Sequence, residues 1–149
     1  MIKRFSTAVR IISIGLLFIV FMLSYANIPN RVLIGTDAAG NPSNYIDKDV
    51  GFYVALSIFI LTNFLFYQLL IYCKRLEPPL ANVVYGWTSA LIILINFFFA
   101  FAAAFIGILN SRENFDYSNF GYLIFVIATL FGIWFLGFLI NLIKLKFKN

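Results

Sequence analysis

Four long apolar stretches dominate this chain, and they restrict its fold more than any other feature. At about 1.5 Å per helical residue, a stretch of about 20 residues crosses a hydrocarbon layer about 30 Å thick. Backbone polar groups in lipid must be satisfied within each segment, so each stretch is predicted to be a helix. The predicted helices are 8–26, 50–72, 83–109 and 120–143. We therefore expect 1–149 to form one polytopic domain, an all-α four-helix transmembrane bundle in contact with a lipid bilayer.

The composition excludes most soluble and catalytic classes. Hydrophobic residues make up 62% of the chain and charged residues 11%, whereas soluble proteins average about 25% charged residues. The chain has no histidine, which argues against histidine-ligated haem or metal and against Ser/His/Asp or Cys/His catalysis. Its single cysteine, Cys73, has no partner for an intrachain disulfide. We expect no catalytic, cofactor-binding or metal-binding residues.

The charges predict how the chain is oriented. The N-terminal segment, the loop between helices 2 and 3 and the C-terminal segment together hold eight basic residues and one acidic residue, whereas the other two loops hold three basic and five acidic residues. By the positive-inside rule, both termini are predicted to be cytoplasmic and the loop 27–49 to face outward. The basic residues flank membrane segments, so we expect no nucleic-acid partner.

The first apolar stretch has two interpretations. Ser24-Tyr25-Ala26 places small residues at the spacing that a signal peptidase recognises, so a cleaved signal peptide is one of them. The stretch is longer than a typical signal core, and Pro29 ends it because proline cannot continue a helix. A retained first helix is therefore the prediction.

The outer loop 27–49 carries the clearest extramembrane pattern. Two short extended segments flank a stretch rich in turn formers, which predicts a β-hairpin closed around Gly40. Asp47 or Asp49 is expected to cap helix 2. Two strands alone are marginally stable in water, so the hairpin should pack against the second outer loop or a partner. The candidate recognition residues are Arg31, Asp37, Gly40, Asn41, Tyr45 and Lys48.

No Asp, Glu, Lys or Arg lies in the interior of a predicted span. The strongest intramembrane polar residues are Asn63, Asn96 and Thr129, which lie at similar depths. Asn63 and Asn96 would reach each other if helices 2 and 3 are antiparallel neighbours. Bonds between helices are the favoured interpretation, and a polar pathway is the alternative.

Small residues follow one stripe on each of the last two helices. Helix 3 has Ala100, Ala103 and Gly107, and helix 4 has Ala128 and Gly132. Small residues let helix backbones approach closely in lipid. Packing within the chain is the favoured interpretation, while packing between subunits, including copies in a homo-oligomer, is the alternative.

The outer loop resembles a known family over residues 14–62. The matching segments are Ile28-Pro29-Asn30-Arg31-Val32, then Asp37-Ala38-Ala39-Gly40-Asn41-Pro42, and then Tyr45 and Lys48 before helix 2. They are similar to a small domain of unknown function found in immunity proteins against the bacterial sporulation-delaying toxin. Leu33 and Gly35 stand where that family usually has proline and histidine. The resemblance implies a bacterial membrane protein that recognises something at its outer face.

Three functions follow as hypotheses. The first is a non-enzymatic interaction protein, an accessory subunit of a larger membrane complex that uses its hairpin and aromatic helix faces to contact other subunits. The second is immunity to, or sensing of, a toxin or peptide at the outer face. The third is a small channel or carrier that uses the three intramembrane polar residues.

Overall fold

The computed structural model describes residues 2–36, 42–110 and 121–148. Four helices and one two-stranded antiparallel sheet make up this part of the chain, and the structure is 85% helical. All four helices are long and apolar enough to cross a membrane. The predicted fold class, four apolar helices with a hairpin between the first two, is confirmed. The elements are α1 (Ile2–Asn27), β1 (Arg31–Thr36), β2 (Pro42–Asp47), α2 (Lys48–Cys73), α3 (Pro78–Leu109) and α4 (Gly121–Lys148).

The helices extend beyond the apolar stretches that predict them. α1 begins at Ile2 instead of residue 8, and α4 continues to Lys148 instead of ending at residue 143. Lys and Arg are good helix formers, so a helix can continue past the last apolar turn. Hydropathy therefore marks the span and underestimates the helix.

The turn between α2 and α3 is shorter than the predicted loop. α3 begins at Pro78 instead of residue 83, with Glu77 as its N-cap. Proline suits the first helical positions, because its missing N–H would have no partner there. The Arg75 N–H donates to the Tyr72 carbonyl at 2.9 Å and closes the turn.

α3 is the central helix of the bundle. α1 packs against it most extensively, and α2 and α4 pack against other parts of it. α1 and α2 also meet at the end of the bundle that carries the hairpin, the hairpin end, where the Phe52 ring lies 4.9 Å from Phe21 and 4.4 Å from Tyr25. The most buried side chains lie mainly along α1 and α3: Ser13, Leu17, Val32, Leu70, Cys73, Thr88, Ser89, Ile92, Asn96 and Ala100.

α4 lies at the side of the bundle. None of its apolar span is buried. It contacts α3 through an aromatic cluster in which the Trp134 indole N–H donates to the Trp87 carbonyl at 2.9 Å and Phe138 lies beside both rings. Gly137 also faces this cluster, since an added Cβ would lie 2.5 Å from the Trp87 ring.

The two small-residue stripes have different outcomes. On α3, Ala100 is buried and Gly107 faces α1, where an added Cβ would lie 3.2 Å from the Ser24 hydroxyl. On α4, Ala128 and Gly132 are exposed, and a Cβ at Gly132 would meet nothing within 4 Å. The expectation of packing within the chain holds for α3 and is wrong for α4 among the described residues, because α4 contacts α3 through its aromatic residues.

Candidate functional site

The hairpin is a regular antiparallel pair that becomes irregular toward its tip. Arg31 pairs with Asp47, and Val32 pairs with Ile46. The register shifts on either side of Gly35, a sign of β-bulges that locally bend and twist the pair. The base of the hairpin is therefore its most regular part, and it lies next to the helices.

Asn110, which follows the last residue of α3, attaches the hairpin to that helix. Its Oδ1 accepts from the Leu33 N–H at 2.6 Å, and its Nδ2 donates to the Leu33 carbonyl at 3.0 Å. Nδ2 also donates to the Ile106 carbonyl at 2.8 Å, near the end of α3. One amide thus occupies both outward backbone groups of Leu33 and places β1 at a fixed position above α3.

The two faces of the hairpin have different surroundings. Val32 is 4% exposed and Ile46 is half-buried, and both point toward the helices. Arg31 and Tyr45 lie at alternate positions and are exposed. Because side chains alternate across a strand, the inner face anchors the hairpin and the outer face is free for contact.

The end of β2 leads directly into α2. Asp47 is the N-cap, and its Oδ1 accepts from the Asp49 and Val50 N–H groups at 3.0 and 3.4 Å. This is one of the two capping residues that the sequence predicts. Asp49 instead accepts a hydrogen bond from the Tyr25 hydroxyl at 2.7 Å, which joins α2 to α1.

Lys48 differs from its predicted role as an outward recognition residue. Its Nζ donates to the Ile28 carbonyl at 3.1 Å and lies 4.4 Å from the centre of the Tyr25 ring. Its ammonium group therefore lies near the top of α1 instead of on the outer face of the hairpin. A cation over an aromatic ring and a carbonyl acceptor explain this position.

The other predicted recognition residues of the hairpin fall into two groups, those that the structure describes and those that it does not. Arg31 and Tyr45 lie together on the exposed outer face of the hairpin, as a recognition surface requires. Asp37, Gly40 and Asn41, at the predicted tip, lie outside the described residues. Arg31 and Tyr45 are thus the described members of the candidate surface, and the exposed Ser43 lies two positions from Tyr45 on the same strand.

A chain of buried hydrogen bonds joins three helices in the middle of the bundle. Asn63 of α2 donates through Nδ2 to Asn96 Oδ1 of α3 at 3.0 Å, the bond expected from their matching depth. Asn96 Nδ2 then donates to the Ser13 hydroxyl of α1 at 3.0 Å, and Ser13 donates to the Arg10 carbonyl at 2.7 Å. Asn96 and Ser13 are 1% and 2% exposed, so the chain lies inside the bundle.

Thr129 does not join these residues. Its hydroxyl donates to the Phe125 carbonyl of its own helix at 2.7 Å, and the residue is exposed. The other end of the polar chain is incomplete, because Asn63 Oδ1 is buried without a hydrogen-bond partner among the described residues. The three predicted intramembrane residues therefore form one connected pair and one separate residue.

Two residues central to this arrangement are absent from the sequence-based candidates. Asn110 is one of several polar residues after α3, and only its position one residue beyond the apolar stretch distinguishes it. Ser13 is a small hydroxyl in an apolar helix, where a bond to its own backbone is the ordinary expectation. A spacing rule within one helix cannot find either residue, because both act on another element.

These features of the described residues are those of a multi-pass membrane protein whose helices hold a β-hairpin at one end of the bundle. No family model matches the chain, and neither a curated protein nor a solved structure matches it. The resemblance of the outer loop to the immunity-protein family therefore stays a prediction.

Proposed function

We propose that this chain is a non-enzymatic interaction protein of a bacterial cytoplasmic membrane, acting as an accessory subunit of a larger complex. In this proposal the hairpin faces outward and both termini are cytoplasmic. The distribution of basic residues supports that orientation, since Lys and Arg concentrate at the end of the bundle opposite the hairpin.

The attachment of the hairpin is the observation that carries the proposal. Leu33 is bonded to α3, Asp47 caps α2, and Lys48 is bonded to the end of α1. A surface that is rigid before binding loses less conformational entropy when a partner binds. The outer face then offers Tyr45, which is 56% exposed, beside Arg31, and both residue types are enriched at protein interfaces.

The helix surfaces supply a second area for contact with other subunits. Phe97 is 48% exposed and Phe125 is 74% exposed. Aromatic side chains bury a large area with little loss of conformational freedom, which suits contact between membrane proteins.

Site-specific photo-crosslinking in living cells tests this proposal. A photoreactive amino acid at Tyr45 should give a discrete crosslinked product with another membrane or extracytoplasmic protein. The same amino acid at Tyr72, which is similarly exposed but lies at the other end of α2, is the matched control and should not give that product. Identical products from both positions, or no product from Tyr45, would remove the proposal.

A second candidate function, sensing of a peptide or toxin at the outer face, is favoured by the outer edge of β2, which pairs with no other strand among the described residues. The Lys48 N–H donates to the Asn30 carbonyl at 2.9 Å, so Asn30 and Lys48 are opposite each other as a hydrogen-bonded pair. Hydrogen-bonded pairs alternate with non-hydrogen-bonded pairs along two antiparallel strands, so Val32 and Ile46 form the next hydrogen-bonded pair. The N–H and carbonyl groups of Leu33 and Tyr45, the pair after that, point away from the partner strand. Asn110 bonds the backbone groups of Leu33. Those of Tyr45 lie on the opposite edge of the pair, which is unpaired within the described part of the chain and where an extended peptide can add as a third strand.

Substitution of Tyr45 separates the two candidates. Tyr45→Pro removes the outward N–H without removing a bond between β1 and β2, whereas Tyr45→Val keeps the N–H and removes the ring. For strand addition, peptides selected from a random library on the protein in nanodiscs should bind Tyr45→Val and fail to bind Tyr45→Pro. Equal binding to both variants, or a deletion strain with unchanged toxin sensitivity, argues against peptide sensing.

The channel or carrier hypothesis has less support. Asn63 and Asn96 use their amides on each other and on neighbouring helices, and Thr129 lies apart from them. A pathway for ions or polar solutes needs several polar groups lining one water-filled route.

A further inference from the structure

Two apolar cavities lie between α1, α2 and α3 below the hairpin. The upper cavity has a volume of about 90 Å³, and the deeper one about 210 Å³. They share the lining residues Phe21, Ala55, Ala103 and Ile106. We call this pair of adjoining cavities the α1/α2 groove.

The walls of the α1/α2 groove change along its length. The deeper part is lined only by Ala, Leu, Ile and Phe side chains. The upper part lies under Val32 and Ile46 of the hairpin and also has Ser24, Tyr25 and Lys48 on its lining. Apolar cavities stay free of water and accept apolar ligands. The groove therefore combines an apolar interior with a single cationic side chain at its hairpin end.

Lys48 has capacity for an anion. Its ammonium group has three N–H donors, and the Ile28 carbonyl accepts from one of them. The neighbouring carboxylates of Asp47 and Asp49 do not line the groove. Oδ1 of Asp47 is turned to the N–H groups of α2, and Oδ1 of Asp49 is turned to the Tyr25 hydroxyl. The remaining donors of Lys48 thus lie at the mouth of an apolar groove, at the end of the bundle where α1 ends and α2 begins.

We propose that the α1/α2 groove binds one acyl chain of an anionic phospholipid from the surrounding bilayer, with the headgroup phosphate at Lys48. The apolar interior matches the chain, and the charge of Lys48 matches the phosphate. Ala55 and Ala103 provide the width of the groove, because their small side chains leave space between the Phe and Ile residues. This site does not depend on the protein partner proposed above.

Native mass spectrometry of the purified chain in micelles tests the site. When phosphatidylglycerol and phosphatidylcholine are present in equal amounts, the wild-type chain should retain one phosphatidylglycerol molecule more often than one phosphatidylcholine molecule. Lys48→Gln should lower phosphatidylglycerol retention about fivefold, the effect of one cationic side chain near a membrane surface. Lys74→Gln, which removes an exposed charge at the opposite end, is the matched control and should change little.

A second pair of variants tests the apolar part. Ala103→Phe should fill the groove and remove retention of either lipid, whereas Ala128→Phe on the exposed surface of α4 should retain phosphatidylglycerol as the wild type does. Equal retention of both lipids by the wild type overturns the headgroup assignment. Unchanged retention by Ala103→Phe overturns the groove as the site.

Lipid photo-crosslinking of the wild-type chain tests whether the groove holds an acyl chain even if Ala103→Phe does not fold. Phosphatidylglycerol with a photoreactive group in one acyl chain should crosslink to peptides of α1 and α3 that contain Phe21 and Ile106. Crosslinks spread evenly over α4 would instead show only the ordinary lipid surface, and would overturn the proposal.

Discussion

At the scale of single residues, two asparagine side chains each join separate elements of the fold. Asn96 connects α1, α2 and α3 by two hydrogen bonds from one amide. Asn110 holds the hairpin on α3 by both backbone groups of Leu33. Proline at position 33, usual in the family that the loop resembles, has no N–H and would lose one of these bonds. Leu33 is therefore compatible with the Asn110 attachment in a way that proline is not.

Removal of the Asn96 amide should destabilise the bundle. Asn96→Leu breaks the bonds to Asn63 and Ser13 and leaves both partners without them, so the free energy of unfolding should fall by about 1–2 kcal/mol. Unfolding in micelles of increasing sodium dodecyl sulfate, followed by far-UV circular dichroism, measures this change. The control is Asn141→Leu, because Asn141 is exposed and bonds only to the Gly137 carbonyl of its own helix. Equal stability of the two variants would contradict a role for the buried chain.

Loss of the Asn110 amide should loosen the hairpin while the bundle stays folded. Asn110→Leu removes two hydrogen bonds to β1, each worth about 1 kcal/mol, so the amides of 31–36 should exchange about tenfold faster or more. Hydrogen exchange with mass spectrometry of the protein in nanodiscs measures this rate. Asn82→Leu, an exposed substitution at the opposite end, should leave the rate unchanged. If Asn110→Leu also leaves it unchanged, other contacts hold the hairpin.

At the scale of elements, the four helices have unequal roles. α3 contacts the other three helices and β1, whereas the contact of α4 with α3 that the described side chains show is the aromatic cluster of Trp87, Trp134 and Phe138. That difference explains why the small residues of α4 are exposed while those of α3 face α1. The attachment of α4 should therefore depend on the Trp87 region and be insensitive to change elsewhere on α4.

Two glycines of α4 form a matched test of this dependence. Gly137→Ala places a Cβ 2.5 Å from the Trp87 ring and should separate α4 from α3, whereas Gly132→Ala enters open space and should be neutral or slightly stabilising through higher helix propensity. The chain has two tryptophans, and both belong to this contact. Tryptophan emission should change in Gly137→Ala and stay constant in Gly132→Ala. Identical spectra would mean that α4 is not held at this point.

The sequence predicts the elements better than it predicts the contacts between them. Apolar length identifies the helices, and turn formers between extended segments identify the hairpin. The bond between Asn63 and Asn96 can be predicted from the matching depth of the two residues once α2 and α3 are taken as antiparallel neighbours. The hydrogen-bond partners of Ser13, Asn110 and Lys48 cannot be predicted from the sequence. The depth of a residue along its helix specifies neither which helix lies beside it nor the direction of its side chain. Those contacts depend on how the helices are arranged around α3.

At the scale of the whole molecule, the described residues form a β-hairpin at one end of a bundle of apolar helices. Three helices hold the base of the hairpin, and its outer face stays exposed. Recognition of a partner outside the cell requires this face to lie on the outer side of the membrane. The positive-inside rule predicts the outer side, opposite the turn that contains Lys74, Arg75 and Glu77.

Cysteine labelling in intact cells determines on which side of the membrane the hairpin lies. In a Cys73→Ser background, a cysteine is introduced by Ser43→Cys on the exposed hairpin or by Glu77→Cys in the opposite turn. A membrane-impermeant maleimide should label the Ser43→Cys chain in intact cells, and the Glu77→Cys chain only after the membrane is permeabilised. Labelling of the Glu77→Cys chain alone in intact cells would invert the topology and contradict the proposed outward recognition surface.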